Sequence, residues 1–301
     1  MEDQSESHGK YLVTGATGKV GGSAVRQLLD AGHSNVRALV RDPARARLPA
    51  GVEVVRGDLS DPASLDAALD GVTRVLLVWP TLQADDAAPE AVARITRDAR
   101  RVVYLSAMGA EASSDANPVA ASHGRLEQLI RGSGAEWTFV RGGGFAGNDL
   151  GWADEIRAEG VVREAFPGWK RSLVHEADLA AVALRALTTD DHVGAAYEVT
   201  GPENLDQADR VRIISEVTGL PLRFEPLSVE EAREGYREWL PPEVVEDTLR
   251  YMAEATREPE PVTTAVAEVT GRPALTYRRW VADHVADFLP DPRATGSTAR
   301  G

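Results

Sequence analysis

The chain is organised around residues 11–22, which read YLVTGATGKVGG. Tyr11, Leu12 and Val13 form a short apolar run of the kind that makes a buried first strand. A glycine-rich turn follows, and then Val20, Ala24, Val25, Leu28 and Leu29 fall on one side of a helix. The helix is expected to stop at Ala31-Gly32, where Gly32 suits a left-handed C-terminal cap. A strand, a glycine turn and a helix N-terminus together make a site for phosphate. Free backbone N–H groups and the positive end of the helix dipole face the ligand. Gly15 permits the tight turn, Gly18 lets backbone approach a pyrophosphate, and Gly21 lets the helix pack close to the strand. The spacing is Gly-x-x-Gly-x-x-Gly, not the commoner Gly-x-Gly-x-x-Gly. The flanking strand and helix therefore carry the assignment.

Further strands are expected at 35–40, 52–56, 74–78, 102–106, 136–141 and 196–199, with Ser172-Leu173-Val174 rejoining the sheet. Helices are expected between them, after Asp61-Pro62 (aspartate as cap), around 89–97, at 118–131 and at 178–187. The run RVLLV at 74–78 is almost wholly apolar, which suits a parallel strand covered on both faces. Strands alternating with helices at this spacing predict an α/β fold with a doubly wound parallel sheet. Beyond Leu150 the pattern loosens. Asp206 with Asp209, and Ser228 with Glu231, look like helix N-caps in a smaller, mostly helical C-terminal lobe. The expected division is 10–150 with returning segments at about 172–200, against 151–171 with 201–288, leaving flexible tails at 1–9 and 290–301.

Composition narrows the function. The 301 residues contain no cysteine, which removes disulfides, thiolate nucleophiles, cysteine-held zinc and iron–sulfur clusters. No metal site is expected. The net charge of −14 argues against a nucleic-acid or anionic-membrane surface. No apolar stretch approaches the roughly 18 residues of a membrane span, and the polar start lacks a signal-peptide core, so a cytoplasmic protein is expected.

The end of the second strand reports cofactor choice. A carboxylate there would meet a ribose 2′-OH, whereas a 2′-phosphate prefers arginine. The residues are Val40 and then Arg41, which points to NADP(H) ahead of NAD(H); Asp42 is the competing contact to the ribose. Asp58 could accept from an adenine amino group or simply close a turn. Trp79, at the end of the fourth strand, is expected near the ligand, because open α/β sheets bind at the carboxyl ends of their strands.

These pieces together resemble the NmrA-like branch of the atypical short-chain dehydrogenases/reductases. The matching stretches are VTGATGKVG, VRALVRDP, GDLSDP, VVYLSA, the His123-to-Glu127 helix with Ser133-Gly134, WTFVRGGGFAGN and GAAYEVTGP, in family order over roughly residues 10–285. The resemblance implies a Rossmann domain with a small C-terminal substrate lobe. It implies that Gly15, Thr17, Gly18, Lys19 and Val20 hold the pyrophosphate, and that Arg41 faces the 2′-phosphate. Asp58 and Leu59 would flank adenine, Val78 and Trp79 would border ribose and nicotinamide, and Ser106 would lie beneath the nicotinamide end. Phe145 and Asn148 match positions at the mouth of the pocket.

One departure bears on the chemistry. Most short-chain dehydrogenases use Tyr-x-x-x-Lys; here the tyrosine place is Val119 and the lysine place is His123. The serine usual just beyond the fifth strand corresponds to Met108. His123 is the candidate proton donor, with hydrogen bonding to the ribose or plain packing as the alternatives. Trp79, Phe145, Trp152, Phe166 and Trp169 would either suit a flat aromatic substrate or serve as core. The leading expectation is NADPH-dependent hydride transfer to a quinone-like or aromatic carbonyl compound, by a monomer or homodimer. The alternative is a cofactor-sensing regulator without catalysis. A non-redox isomerase or dehydratase with tightly held cofactor is a third.

Overall fold

The computed structural model describes residues 9–80, 86–112, 118–238 and 241–290. In chain order its elements are β1 (Lys10–Val13), α1 (Lys19–Asp30), β2 (Val36–Val40), β3 (Glu53–Arg56), α2 (Asp66–Leu69), β4 (Val72–Val78), α3 (Ala88–Asp98), β5 (Arg101–Ala107), α4 (Pro118–Arg131) and β6 (Glu136–Gly142). Then come α5 (Ala153–Glu159), β7 (Val161–Glu164), α6 (Glu176–Thr188), β8 (Ala195–Val199), α7 (Gln207–Thr218), β9 (Arg223–Pro226) and α8 (Val229–Arg237). The last are α9 (Pro242–Ala255), α10 (Ala265–Thr270), α11 (Tyr277–Asp283) and α12 (Val285–Phe288).

Two compact units arise. The first takes the described residues within Met1–Gly143, Glu176–Thr200 and Thr263–Pro273; the second takes those within Gly144–His175, Gly201–Val262 and Ala274–Gly301. Residues 144–150 and 172–175 thus fall in the second unit, and 263–273 return to the first. The tails expected at 1–9 and 290–301 lie, apart from Gly9 and Pro290, outside the described residues.

The first unit is a seven-stranded parallel sheet in the order β3-β2-β1-β4-β5-β6-β8. Successive side chains of a strand point to opposite faces. Leu12, Leu39, Val75, Leu77, Val102, Tyr104 and Phe139 accordingly share one face. There they meet Leu65 and Leu69, Val92 and Ile95 of α3, and Leu126 and Ile130 of α4. Helices α1 and α6 pack against each other, and α10 packs on α6. With helices on both faces, the strands can be apolar along their length, which is why 74–78 shows no alternation.

Gly32 takes φ +86° and closes α1. Asp206 and Ser228 cap α7 and α8 as expected, the latter as a full capping box with Glu231. Two expectations need correction. Asp61 makes no side-chain cap; the chain after it is a short 3-10 turn, Pro62–Leu65, before α2. The Asp61 carbonyl instead accepts from Ser64 Oγ at 2.7 Å. Ser172-Leu173-Val174 does not join the large sheet, since Val174 forms only an isolated bridge with Phe145 in the second unit. That unit is mostly helical, as expected, and adds one parallel strand pair, β7 with β9. Its core gathers Ile156, Val162, Ile214, Tyr277, Trp280 and Phe288. A buried Asp149 there receives Arg210 at 2.6 Å and the Tyr277 hydroxyl at 2.6 Å.

Candidate cofactor and active site

Three local devices build the turn after β1. Gly15 sits at φ +59°, a left-handed conformation that glycine adopts without Cβ strain. Gly18 N–H donates to Gly15 O at 2.9 Å and closes the turn. Thr14, fully buried, stitches this turn to the end of β4: its hydroxyl donates to Val78 O at 2.8 Å and accepts from Val78 N–H at 2.7 Å. Val78 is thereby held against Gly15, where an added Cβ would lie 3.0 Å from the valine side chain. Sequence reasoning missed Thr14, whose partner lies 64 positions away.

Helix α1 then begins at Gly18, whose backbone is extended (φ −85°, ψ 177°). No side chain caps this end and its first turn carries no acidic residue. By helix geometry the Val20 and Gly21 N–H groups have no intrahelical acceptor. Thr17, Gly18 and Lys19 are exposed, while Val20 is buried in the packing. An uncapped helix start without acidic neighbours, behind a turn so tight that only glycine fits at position 21, is a setting for a pyrophosphate. The residues present fit a dinucleotide.

The ends of β2 and β3 carry positive charge. Val40 is level with Arg56 across the ladder, and Arg41 follows Val40. Arg41, Arg45, Arg47 and Arg56 are exposed and have no acidic partner among the described residues. Most other arginines of this acidic chain are paired, as at Arg37, Arg94, Arg97, Arg100 and Arg101. Asp42 is occupied locally, its carboxylate accepting from Ala44 N–H at 3.0 Å. Asp58 is likewise engaged in its own turn, accepting from Ser60 N–H at 3.0 Å and Ser60 Oγ at 2.8 Å. Leu59 beside it is buried. Trp79 is 6% exposed and belongs to the core cluster with Ala88 and Val92, so its ring packs beneath the strand end.

Where β5 and β6 end, Ser106 and Arg141 are register partners. Glu127 reaches in from α4 and binds both. Ser106 Oγ donates to it at 2.7 Å, and Arg141 grips both carboxylate oxygens, Nε at 2.9 Å and Nη2 at 2.7 Å. Arg141 also meets Glu111 at 2.7 Å. All three members of the central group are buried, and Ser106 spends its hydroxyl on Glu127. One turn earlier on α4, half-buried His123 places Nδ1 2.6 Å from the Tyr104 hydroxyl oxygen. Burial depresses the histidine pKa, opposed in part by Glu127, so the ring is neutral at neutral pH.

In the second unit Phe145 is half-buried and Asn148 exposed. Trp152 and Trp169 are 8% and 6% exposed. Trp152 donates its indole N–H to Glu164 at 3.1 Å and lies under Arg210; Trp169 lies under Arg171 with its edge to Tyr251. Both indoles are interior packing.

Residues 15–190 match the NAD(P)H-binding family model. The chain belongs to the NAD(P)H-binding, NmrA-like family of atypical short-chain dehydrogenases/reductases. A (4-alkanoyl-5-oxo-2,5-dihydrofuran-3-yl)methyl phosphate reductase of Streptomyces griseus is 41% identical over 282 residues, covering 93% of this chain and 99% of the relative. An NAD(P)H azoreductase of Xenophilus azovorans is 36% identical, covering 92% and 98%. Among solved structures, an NADPH-dependent quinone oxidoreductase of Escherichia coli superposes with a TM-score of 0.74 at 24% identity, covering 92% of this chain and 98% of that one. That last likeness shows the fold. As a member of this family the chain is an NAD(P)H-dependent oxidoreductase. No helix among the described residues is long and apolar enough to cross a membrane.

Proposed function

We propose that this oxidoreductase uses NADPH to reduce a conjugated small molecule, quinone-like or an aromatic carbonyl compound. One observation carries the reading. The positions of the usual acid–base pair hold Val119 and His123, and His123 is a neutral ring tied to a buried tyrosine. A site with no strong acid favours acceptors that take a hydride at one atom and spread the charge over the rest. Quinones and conjugated carbonyl compounds do this. The relatives named above, an azoreductase and a reductase of an unsaturated 5-oxo-2,5-dihydrofuran, are in keeping with such acceptors. When bound, the reduced nicotinamide would supply the hydride; the protein orients the partners and excludes water. Gly15, Thr17, Gly18, Lys19 and Val20 would hold the pyrophosphate, Asp58 and Leu59 would flank adenine, and Val78, Trp79 and Ser106 would line the nicotinamide side. Phe145 and Asn148 would contact substrate.

The unpaired arginines support NADPH over NADH. Arg41→Ala is expected to weaken NADPH binding by about 10- to 100-fold, the range for losing a charge-assisted hydrogen bond. NADH binding should barely change. Fluorescence titration with both cofactors reads this directly, and equal losses would remove the 2′-phosphate role. His123→Ala should slow an aromatic ketone more than a quinone, because the ketone oxygen localises the charge that a donor must meet; the ratio of the two kcat/KM values decides. The reaction itself is tested by the loss of reduced-nicotinamide absorbance against a panel of quinones and aromatic ketones. Saturable turnover is the expected result, and binding without turnover of any acceptor would refute it.

A further inference from the structure

We propose that Tyr104 is a positioning residue that fixes His123 in the Nε2–H tautomer, so that α4 presents a hydrogen-bond donor and not a titrating acid. The inference rests on the reading of His123 as a site residue given above, but its structural half stands apart from it.

The Tyr104 hydroxyl oxygen is 2.6 Å from His123 Nδ1. Tyr104 projects from β5 onto the face covered by α4, is 0% exposed, and is braced edge-on by Phe139. A neutral phenol has one hydrogen to give. His123 is its only hydrogen-bond partner among the described residues. If Nδ1 carried the proton, it would donate to the phenol oxygen, and the phenol hydrogen would be buried with no acceptor. That arrangement incurs the full desolvation cost of a buried donor. If the phenol donates to a bare Nδ1, every hydrogen is used, and the imidazole proton must sit on Nε2.

The charged surroundings do not reverse this. Tyr104 faces His123 from β5, and burial raises its pKa, keeping the phenol protonated. Glu127, one turn along α4, favours a charged imidazole, but its carboxylate is held by Ser106 from β5 and Arg141 from β6. Arg131 stands 3.6 Å from it, and Glu111 balances Arg141. The net effect on His123 is a depressed pKa, set first by burial.

A neutral Nε2–H is far too weak an acid to give up its proton, but it can meet negative charge. In the proposed reaction the acceptor carbon gains a hydride with its electron pair, and the nicotinamide is oxidised by two electrons. The π pair of the acceptor moves to its oxygen. That oxyanion is what the Nε2–H group would stabilise. Water then protonates the oxygen and leaves hydroxide.

The test begins with nitrogen-15 histidine NMR of the full-length protein, using one-bond and multiple-bond proton–nitrogen correlations. The wild type should show His123 as the neutral Nε2–H form from about pH 7 to 9, with any protonation displaced to lower pH than that of an ordinary histidine. Tyr104→Phe keeps the ring and removes the hydroxyl; it should yield mixed tautomers. An Nδ1–H signal in the wild type, or an unchanged tautomer in Tyr104→Phe, overturns the proposal. Kinetics supply the second readout. With an aromatic ketone, wild-type kcat should be flat across that window, and Tyr104→Phe should lower kcat about two- to fivefold with KM nearly unchanged, in proportion to the Nε2–H fraction lost. The expected tautomer combined with His123→Ala rates equal to wild type would support the hold of Tyr104 on His123 and reject the catalytic reading of the histidine.

Discussion

Arg141→Ala is expected to lose about 3–5 kcal/mol of stability, the usual cost of removing one member of a buried ion pair. Arg141 is 4% exposed and Glu127 2% exposed. Without the guanidinium, the carboxylate keeps Ser106 at 2.7 Å and a distant Arg131 at 3.6 Å, which do not replace two charge-assisted bonds. Chemical denaturation reads the loss, and the melting temperature should fall by about 2–4 °C per kcal/mol if the chain scales like a domain of 150–250 residues. Replacing both partners, with Arg141→Met and Glu127→Leu together, should recover most of the loss, because an apolar pair of similar volume leaves no buried charge. A single mutant within about 1 kcal/mol of wild type would mean that water reaches Glu127. Because Ser106 and Arg141 close β5 and β6 side by side, the destabilised variant should also bind NADPH less well.

Gly21→Ala is expected to disable cofactor binding outright. Its new Cβ would lie 2.7 Å from the Gly15 carbonyl carbon, closer still to the carbonyl oxygen, and 3.1 Å from Ala16 Cα. These are backbone atoms of the phosphate turn and cannot step aside as a side chain can. Overpacking of this sort costs about 1–3 kcal/mol in stability. Binding should suffer more, because α1 must pull away from the turn whose N–H groups it helps to aim. A drop in NADPH affinity of at least about a hundredfold corresponds to a loss of about 2.8 kcal/mol. Gly151, where an added Cβ meets nothing within 4 Å, is the control. Gly151→Ala should leave affinity unchanged, and a Gly21→Ala protein that binds like wild type would show that the turn is not the pyrophosphate seat.

Much of this was legible in the chain. The sheet strands announce themselves because a parallel sheet under two helical layers needs near-continuous apolar runs, and 74–78 and 102–106 supply them. The cap at Asp206 and the box at Ser228 follow from side chains that satisfy the first N–H groups of a helix. What stayed hidden is pairing over distance. Thr14 sits between the apolar run and Gly15, and nothing in the sequence shows that its hydroxyl will bridge to Val78. Glu127 and Arg141 lie in two separate matching stretches of the sequence, and helix periodicity does not say which carboxylate will meet an arginine on a neighbouring strand. The β7–β9 pair rests on four-residue strands, too short for alternation to register. Trp152 and Trp169 show the limit of residue type. An indole can line a pocket or fill a core, and here both are buried, Trp152 between Arg210 and the Glu164 carboxylate and Trp169 under Arg171.

The return of residues 263–273 to the sheet unit has a consequence for synthesis on the ribosome. Ala265, Val266 and Val269 of α10 are buried, α10 packs on α6, and Arg272 meets the fully buried Asp178 at 2.7 Å. The cofactor-binding half is therefore not finished when its last strand, β8, emerges. A nascent chain halted near residue 262 would expose one flank of α6 and leave Asp178 without its cation. The growing protein must hold its nucleotide fold open-sided until residues 263–273 arrive. It is there, during translation and not after it, that chaperones would find this molecule most exposed.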